Sequence, residues 1–182
     1  MNYFIVPTYL HEVFGEKQSK LEISLTLLFA FIGSTLLYFL FYIPNNQEKS
    51  WIVAIAFIVI SDVLAGCIAN FTKGTNHFYA LRPKGRLLFI SIHFHILIIA
   101  WLLSVPFEPA LIVWGYTIVS AFIVNAFKGT TIQLFIAANL MCYGIFLFMI
   151  LSIPTWFLIV SIFFMIKIMF SFAVDHYNGV EA

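Results

Sequence analysis

Apolar runs of about 20 residues are the feature of this sequence that most limits its fold. Six of them follow one another, and each is long enough to cross about 30 Å of hydrocarbon as a helix. Only 9% of the 182 residues are charged, whereas soluble domains carry roughly 25%, so the chain cannot form a globule with a wettable surface. We therefore predict an all-α fold, a single polytopic domain whose transmembrane helices cover about residues 21–43, 51–71, 87–105, 110–127, 130–152 and 155–174.

Short turn-forming segments separate these runs. PFEP divides the third run from the fourth, and KGT divides the fourth from the fifth. Proline and glycine are the expected interruptions between helices, and links this short make neighbouring helices antiparallel. The first fourteen residues are apolar and aromatic but too short to span, so we predict that 1–14 form an interfacial or bundle-docked segment.

Basic residues orient the predicted bundle. With the N-terminus in the cytoplasm, seven basic residues fall in inside segments and one, Lys49, falls in an outside loop. This asymmetry is typical of membrane proteins, so we predict that both termini are cytoplasmic and that the protein lies in the cell membrane. The inside residues are Lys17, Lys20, Lys73, Arg82, Lys84, Arg86 and Lys128.

Asp62 interrupts the second run, in VISDVLAGCIAN. A charged side chain at mid-bilayer costs roughly 2.5–3.5 kcal/mol on insertion scales, so such a residue marks a partner or a function. The helix directions place the most polar side chains of four helices at similar depths. Measured from the cytoplasmic end at about 1.5 Å per residue, the depths are about 9 Å for His93, about 10 Å for Lys167, about 12 Å for His95, and about 14 Å for Asp62 and Asn139.

Spacing within the helices indicates a shared interior. Residues three or four apart lie on one helix face, and small residues allow helices to approach closely in lipid. Four helices carry small and polar stripes, which we predict to face the interior while phenylalanine and isoleucine face lipid. The stripes are Asp62, Gly66 and Asn70; Thr117, Ala121 and Asn125; Asn139, Cys142 and Tyr143; and Lys167, Ser171 and Asp175.

We hypothesise that Asp62 accepts hydrogen bonds from Lys167 or His95 inside the bundle. Three alternatives stay open: the pair is purely structural, Asp62 is protonated, or Lys167 extends to the cytoplasmic surface. The predicted ion- or ligand-binding set is Asp62, Asn70, His93, His95, Asn139 and Lys167.

The HFH sequence raises the question of a metal site. On a regular helix, residues two apart point about 200° away from each other, so His93 and His95 would face different neighbours. No HExxH, HxxxH or cysteine-rich set accompanies them. A metal site built from Asp62, His93, His95 and His176 is an alternative, and a transition metal is then the cofactor; the sequence implies no organic cofactor.

The longest internal loop, TKGTNHFYALRPKGR, is basic. Its simplest role is to anchor the cytoplasmic side. The functional alternative is a surface for anionic lipid headgroups, a nucleotide or an acidic cytoplasmic partner at Lys73, Arg82, Lys84 and Arg86. The sequence has no arginine-rich arm or basic-aromatic patch that would indicate nucleic acid, and no nucleophile–base signature such as GxSxG.

Three stretches, SDVLAGCIANFTK, IHFHI and IKIMFSFAVDHY, resemble a family of uncharacterised six-helix bacterial integral membrane proteins. That family has an acid in its second helix followed by glycine, asparagine and lysine, and a histidine-aromatic step in its third. The chain departs from the pattern at Ala137 and Asn139, near which a histidine is expected, and this speaks against a shared metal site. The resemblance implies a six-helix fold but no activity.

The sequence thus favours a small integral membrane protein with a polar site on the cytoplasmic side, which binds or moves a small ion, proton or solute. One alternative is an interaction protein that forms homo-oligomers and binds a partner through the basic loop. A second alternative is a metal-dependent membrane enzyme acting on lipid-like substrates. In all three, the lipid bilayer is the main surrounding partner.

Overall fold

A computed structural model of the chain describes residues 3–45 and 51–177, so the predicted outside residue Lys49 lies outside the described residues. Helices form almost all of the regular structure, as predicted. In chain order they are α1 (His11–Phe14), α2 (Lys20–Leu36), α3 (Trp51–Ala69), α4 (Lys73–Ala80), α5 (Pro83–Ser91), α6 (His95–Leu102), α7 (Phe107–Ala126), α8 (Gln133–Met149) and α9 (Thr155–Met165). Two of them continue as π-helix, α2 through Leu37–Tyr42 and α9 through Ile166–Phe172.

Five helical segments are long and apolar enough to cross a membrane, which supports the predicted membrane bundle in contact with lipid. The helix α8 is apolar but shorter, at 17 residues. The five long segments are Lys20–Tyr42, Trp51–Ala69, Pro83–Leu102, Phe107–Ala126 and Thr155–Phe172.

Local sequence signals set the helix starts. At the start of α2, the Ser19 hydroxyl accepts from the Glu22 backbone N–H, and the Glu22 carboxylate accepts from the Ser19 N–H. This capping box satisfies backbone groups that a helix end leaves unpaired, and it explains an acid at the edge of an apolar helix. Pro83 opens α5, and Pro106 and Pro154 directly precede α7 and α9; proline suits these positions because a first-turn residue needs no N–H partner.

The last membrane segment, Thr155–Phe172, is the centre of the bundle. It packs against α3, α7 and α8, and its side chains Phe157, Phe164 and Ile168 are completely buried. The first segment, Lys20–Tyr42, is the least buried of the five and exposes large apolar side chains such as Phe31. The last segment is therefore the most buried of the five, and most of its side chains are shielded from lipid.

The N-terminal residues form a short antiparallel strand pair that the sequence did not predict. Strand β1 (Tyr3–Ile5) pairs with β2 (Lys17–Ser19), and three-residue strands are too short to show an alternating pattern. The segment between the strands docks on α4, where Thr75 Oγ1 donates to Val13 O at 3.0 Å. Gly15, with a φ of 70°, packs against the backbone of Gly74 and leaves no room for a Cβ atom.

The predicted third span is not one continuous helix. The chain forms α5 and α6 with a break at residues 92–94, and the segment starts at Pro83 and ends at Leu102 rather than covering 87–105. At the break, the Trp114 indole N–H donates to His93 O at 3.1 Å. This tertiary hydrogen bond satisfies a carbonyl at the break, and therefore stabilises an interruption that hydropathy alone does not reveal.

Candidate functional site

An ion pair joins the central segment to α3. Lys167 Nζ lies 2.8 Å from Asp62 Oδ2 and also donates to the backbone oxygen of Asp62 at 3.3 Å. The Lys167 side chain is only 5% exposed, because it projects from the π-helical part of the most buried segment. Lys167 is thus a hydrogen-bonding partner of Asp62, as hypothesised, and it does not extend to the cytoplasmic surface.

His95 is the second partner of the same carboxylate oxygen. Its Nε2 atom lies 3.1 Å from Asp62 Oδ2. Among the described residues, hydrogen bonds reach Oδ2 of Asp62 but not Oδ1. The other ring nitrogen of His95, Nδ1, is buried and has no hydrogen-bond partner in the described ranges. Asp62 Oδ1 is therefore open as an acceptor beside the ion pair, and His95 Nδ1 is an unpaired atom in the interior.

The helix break brings the two histidines to the same region. Their ring centroids lie 5.1 Å apart, so the expectation from a regular helix, with the rings about 200° apart, is wrong for this pair. The physical reason is that residues 92–94 interrupt the helix, so the regular helical rotation between successive residues does not apply between His93 and His95. His93 itself is buried and uses Nδ1 to contact Phe89 O, so it packs beside the site without reaching Asp62.

The Asp62 carboxylate lies on an exterior face of the bundle. Its side chain is 56% exposed, and Ile55 and Ile58 of the same helix are exposed as well. The prediction that Asp62 lies inside the bundle is therefore wrong in this respect. The buried ammonium group of Lys167 thus lies on the interior side of the Asp62 carboxylate, and the opposite side of the carboxylate is exposed.

Gly66 on α3 and Asn70, directly after the end of α3, position Lys167. Gly66 leaves the space that the Lys167 side chain occupies, and a Cβ atom there would approach Nζ to 2.9 Å. Asn70 Nδ2 donates to Lys167 O at 3.2 Å, and Ser171 Oγ donates to the same oxygen at 2.9 Å. Asn70 thus acts through the backbone of Lys167. The sequence stripe indicated Gly66 as a small residue for helix approach, but not that it makes room for a lysine.

The structure does not bring Asn139 into this cluster. Its side chain is exposed and donates to Phe135 O of its own helix at 2.9 Å. Cys142 and Tyr143 are exposed too, so the predicted inner stripe of this helix is its outer face. The inner face of α8 instead carries Gln133 and Gly144.

His176 also lies apart from Asp62. It contacts Phe170 O at 2.9 Å, and its ring packs 4.9 Å from that of Phe71. Burial among these rings lowers the pKa of His176. Across residues 3–45 and 51–177, no group of three or more His, Cys, Asp or Glu side chains is arranged to hold a metal ion. The four candidates Asp62, His93, His95 and His176 are thus not assembled into one set.

Arg86 is not part of an exposed basic surface. It is 1% exposed, and it donates from Nε to Asn125 Oδ1 and from Nη2 to Ala173 O, both at 2.7 Å. Gln133 donates to Ala173 O at 3.0 Å and accepts from the Asp175 N–H. These side chains hold the C-terminal segment against the bundle, a role that the sequence did not reveal.

The remaining basic-loop residues are accessible. Arg82 and Lys84 are exposed, and Lys73 is half-buried. Arg82 pairs with Glu16 at 2.9 Å. Lys128 donates to Ala80 O at 2.8 Å, so it lies at the same end of the molecule. We call this end, which carries Lys73, Arg82, Lys84 and Lys128, the basic end.

Comparisons with known protein families, with curated proteins and with solved structures find no match. The resemblance to a six-helix bacterial family therefore stays a prediction. Function has to be inferred from the chemistry of the site.

Proposed function

We propose that this protein binds a small cation, a proton above all, at the Asp62 carboxylate and moves it across the membrane. One observation carries the proposal. Lys167 and His95 both hold Oδ2 of Asp62, while the carboxylate as a whole is more than half exposed. Such an arrangement presents an acceptor to an incoming cation and keeps a charged partner behind it.

The protonation chemistry of the site supports this function. The Asp62–Lys167 pair is neutral overall when both groups are ionised. When His95 donates from Nε2 to Asp62, its lone pair is on Nδ1, which is the buried atom without a partner in the described chain. A proton or a hydrogen-bond donor that arrives at Nδ1 or at Asp62 Oδ1 adds to the site without displacing Lys167.

The backbone around the site supports it as well. Irregular backbone at membrane depth is tolerated where it is buried in protein or lines a water-filled cavity, and transporters use interrupted helices to build ion and substrate sites. Here the break at 92–94 directly precedes His95, and Lys167 lies in a π-helix. Single π-helical turns occur frequently at functional sites.

The proposed topology has six spans. Helix α8, with 17 residues, is about 25 Å long, which is near the lower limit for a transmembrane helix. If it spans, both termini lie on the same side as the basic end, and the positive-inside rule places that side in the cytoplasm. The protein would then be a multi-pass protein of the cell membrane.

The experiment is a transport assay on the full chain in liposomes that enclose a pH-sensitive dye. Under an imposed membrane potential, we expect the wild type to accelerate proton uptake at least tenfold over protein-free liposomes. Assays with Na⁺ and K⁺ gradients test the wider cation class. We expect Asp62→Asn combined with Lys167→Gln to abolish uptake, and the paired change avoids leaving a buried lysine unpaired.

Two further variants refine the test. His95→Gln keeps a side-chain N–H donor near Asp62 but cannot take up a proton, so we expect it to fold and to lose proton uptake. Asn139→Ala is the matched control, because Asn139 is exposed and donates its hydrogen bond to Phe135 of its own helix. A paired Asp62/Lys167 variant that transports as fast as the wild type would exclude the proposed site.

A further inference from the structure

The outward side of α8 carries polar side chains near the middle of the helix. Asn139 is exposed, and Tyr143 is 66% exposed. Each of them lies two residues from the midpoint of Gln133–Met149, which is about 3 Å along the helix axis. In the topology proposed above, α8 spans the membrane, so both side chains lie near the centre of the bilayer rather than at its surface.

The exposed residues around Asn139 follow a regular spacing. Five of them succeed one another at intervals of four, three, four and three positions, which is the spacing of the residues at the contact between two helices of a coiled coil. The opposite side of α8 packs against α7 and the last membrane segment, so the regular side has no neighbour within the described bundle. We call this exposed set the α8 face, which consists of Phe135, Asn139, Cys142, Phe146 and Met149.

The Asn139 amide has hydrogen-bonding capacity that its own helix does not use. A carboxamide carries two N–H donors and one carbonyl acceptor. One N–H of Nδ2 donates to Phe135 O at 2.9 Å, and within residues 3–45 and 51–177 Asn139 makes no other hydrogen bond. Lipid chains supply neither a donor nor an acceptor at this depth, so the remaining N–H and Oδ1 are costly to leave unpaired. A partner helix that supplies both groups would stabilise this position.

A second copy of the chain supplies both groups at the required depth. Copies of one protein insert in the same direction, so Asn139 lies at the same level in each. When two α8 faces meet across a two-fold axis along the membrane normal, each residue approaches its own counterpart. The free N–H of each Asn139 then donates to Oδ1 of the other. A single asparagine among apolar contact residues fixes the register and the number of helices in coiled coils.

We infer that this protein forms a parallel homodimer through the α8 face, with the two Asn139 amides paired at its centre. The Asp62 site is assembled from α3, α6 and the last membrane segment of one copy, so the dimer adds no residue to it. The inference therefore rests on the proposed spanning of α8 and not on the function proposed for Asp62.

The natural cysteines provide the test. Cys142 lies on the α8 face, three residues after Asn139, and is exposed, whereas Cys67 is buried. The full-length protein in phosphatidylcholine liposomes is oxidised with copper phenanthroline over a series of protein-to-lipid ratios. We expect most wild-type chains to form a disulfide-linked dimer, which requires Cα atoms within about 7 Å of each other. Cys67→Ser should cross-link as the wild type does, and Cys142→Ser should not cross-link.

Asn139→Leu tests the amide pair, because it keeps a side chain of similar size without hydrogen-bonding groups. The protein-to-lipid ratio at half-maximal cross-linking should rise about tenfold, since two reciprocal hydrogen bonds between helices in lipid contribute about this factor. Asn139→Gln retains an amide and should keep most of the cross-linking. Equal cross-linking in Asn139→Leu and the wild type would overturn the inference.

A pair of phenylalanines provides the matched control for the apolar part of the α8 face. Phe146 on this face is 71% exposed, and Phe31 on α2 is 70% exposed. Phe146→Ala should weaken cross-linking, whereas Phe31→Ala should not, and both should melt close to the wild type. Equal effects of the two changes would show random collision and contradict the dimer. A wild type that stays monomeric at every ratio would also overturn it and leave the α8 face to a different partner.

The depth of α8 is tested separately. In the same liposomes, a membrane-impermeant maleimide should leave Cys142 unlabelled, because the thiol lies within the bilayer. Rapid labelling would place α8 in water and remove the basis of the inference, while a functional Asp62 site would still be detected as cation uptake.

Discussion

Lys167 and Asp62 lie 105 residues apart in the chain and meet through a 2.8 Å contact between Nζ and Oδ2. The two partners have different surroundings, because the lysine is buried and the carboxylate is more than half exposed. Because of this difference in burial, we expect the loss of stability to depend on which of the two residues is replaced.

Removing Asp62 should destabilise the protein more than removing Lys167. Asp62→Ala leaves a buried ammonium group without its counter-charge, and loss of one partner of a buried pair costs about 3–5 kcal/mol. Lys167→Met leaves a carboxylate that is already largely exposed and that keeps His95, so the cost should be smaller. Thermal unfolding of both variants and of the double variant in detergent measures the difference. Equal destabilisation by the two single changes would contradict the one-sided burial of the pair.

Gly66→Ala should disrupt the site through Lys167. The added Cβ would lie 2.9 Å from Nζ, so the lysine must move away from Asp62, and overpacking of this kind costs about 1–3 kcal/mol. We expect lower thermal stability together with loss of cation uptake. Gly115→Ala is the matched control, since a Cβ at Gly115 has no described atom within 4 Å and alanine favours a helix. If both variants behave alike, Gly66 has no special role in placing Lys167.

Arg86→Met should lower the stability of the fold. The variant loses hydrogen bonds to Asn125 and Ala173 that are worth about 3 kcal/mol together, because a charged donor is involved. Limited proteolysis should then cut the C-terminal segment faster than in the wild type. Lys84→Met, an exposed change in the same helix, should leave the cleavage rate unchanged. Equal cleavage rates in Arg86→Met and the wild type would contradict a role of Arg86 in holding this segment.

His176 should make stability depend on pH. Burial against Phe71 and Phe170 lowers its pKa in the folded protein, so the fold favours the neutral ring. Its contribution is present above the unfolded pKa of about 6.5 and is lost as the pH falls towards the lower folded pKa. The Tm of the wild type should therefore drop between pH 7 and pH 5 more than that of His176→Phe, which keeps an aromatic ring there but cannot titrate. Parallel curves for the two proteins would contradict this.

Hydropathy predicted the membrane class of this chain but could not orient the faces of its helices. In a soluble protein, polar residues mark the outward face of a helix. In lipid both faces of a helix are apolar, so a single polar residue does not show which face points inward. Asn139 shows the difficulty, since it satisfies its amide on the backbone of its own helix and therefore tolerates an outward position. Asp62 was correctly paired with Lys167 and His95 because an ionised group at membrane depth requires a partner.

Counts of basic residues have a similar limit. Arg86 and Lys84 are two positions apart in the same loop sequence, and the positive-inside asymmetry treats them alike. In the fold one is buried against the C-terminal segment and the other is exposed. The difference arises from the Ala173 carbonyl, which is distant in the chain and comes near only after the bundle has assembled.

By itself, the sequence determined the membrane class of the protein and the approximate positions of its apolar helices, because the transfer of a run of side chains into hydrocarbon has a free energy that depends mainly on local sequence. Only the tertiary structure decided that the third segment breaks before His95, that Gly66 leaves space for the Lys167 side chain, and that the Asp62 side chain is exposed. These features depend on packing between segments far apart in the chain. The free energy of each feature therefore depends on how two surfaces pack together and cannot be assigned to a single residue.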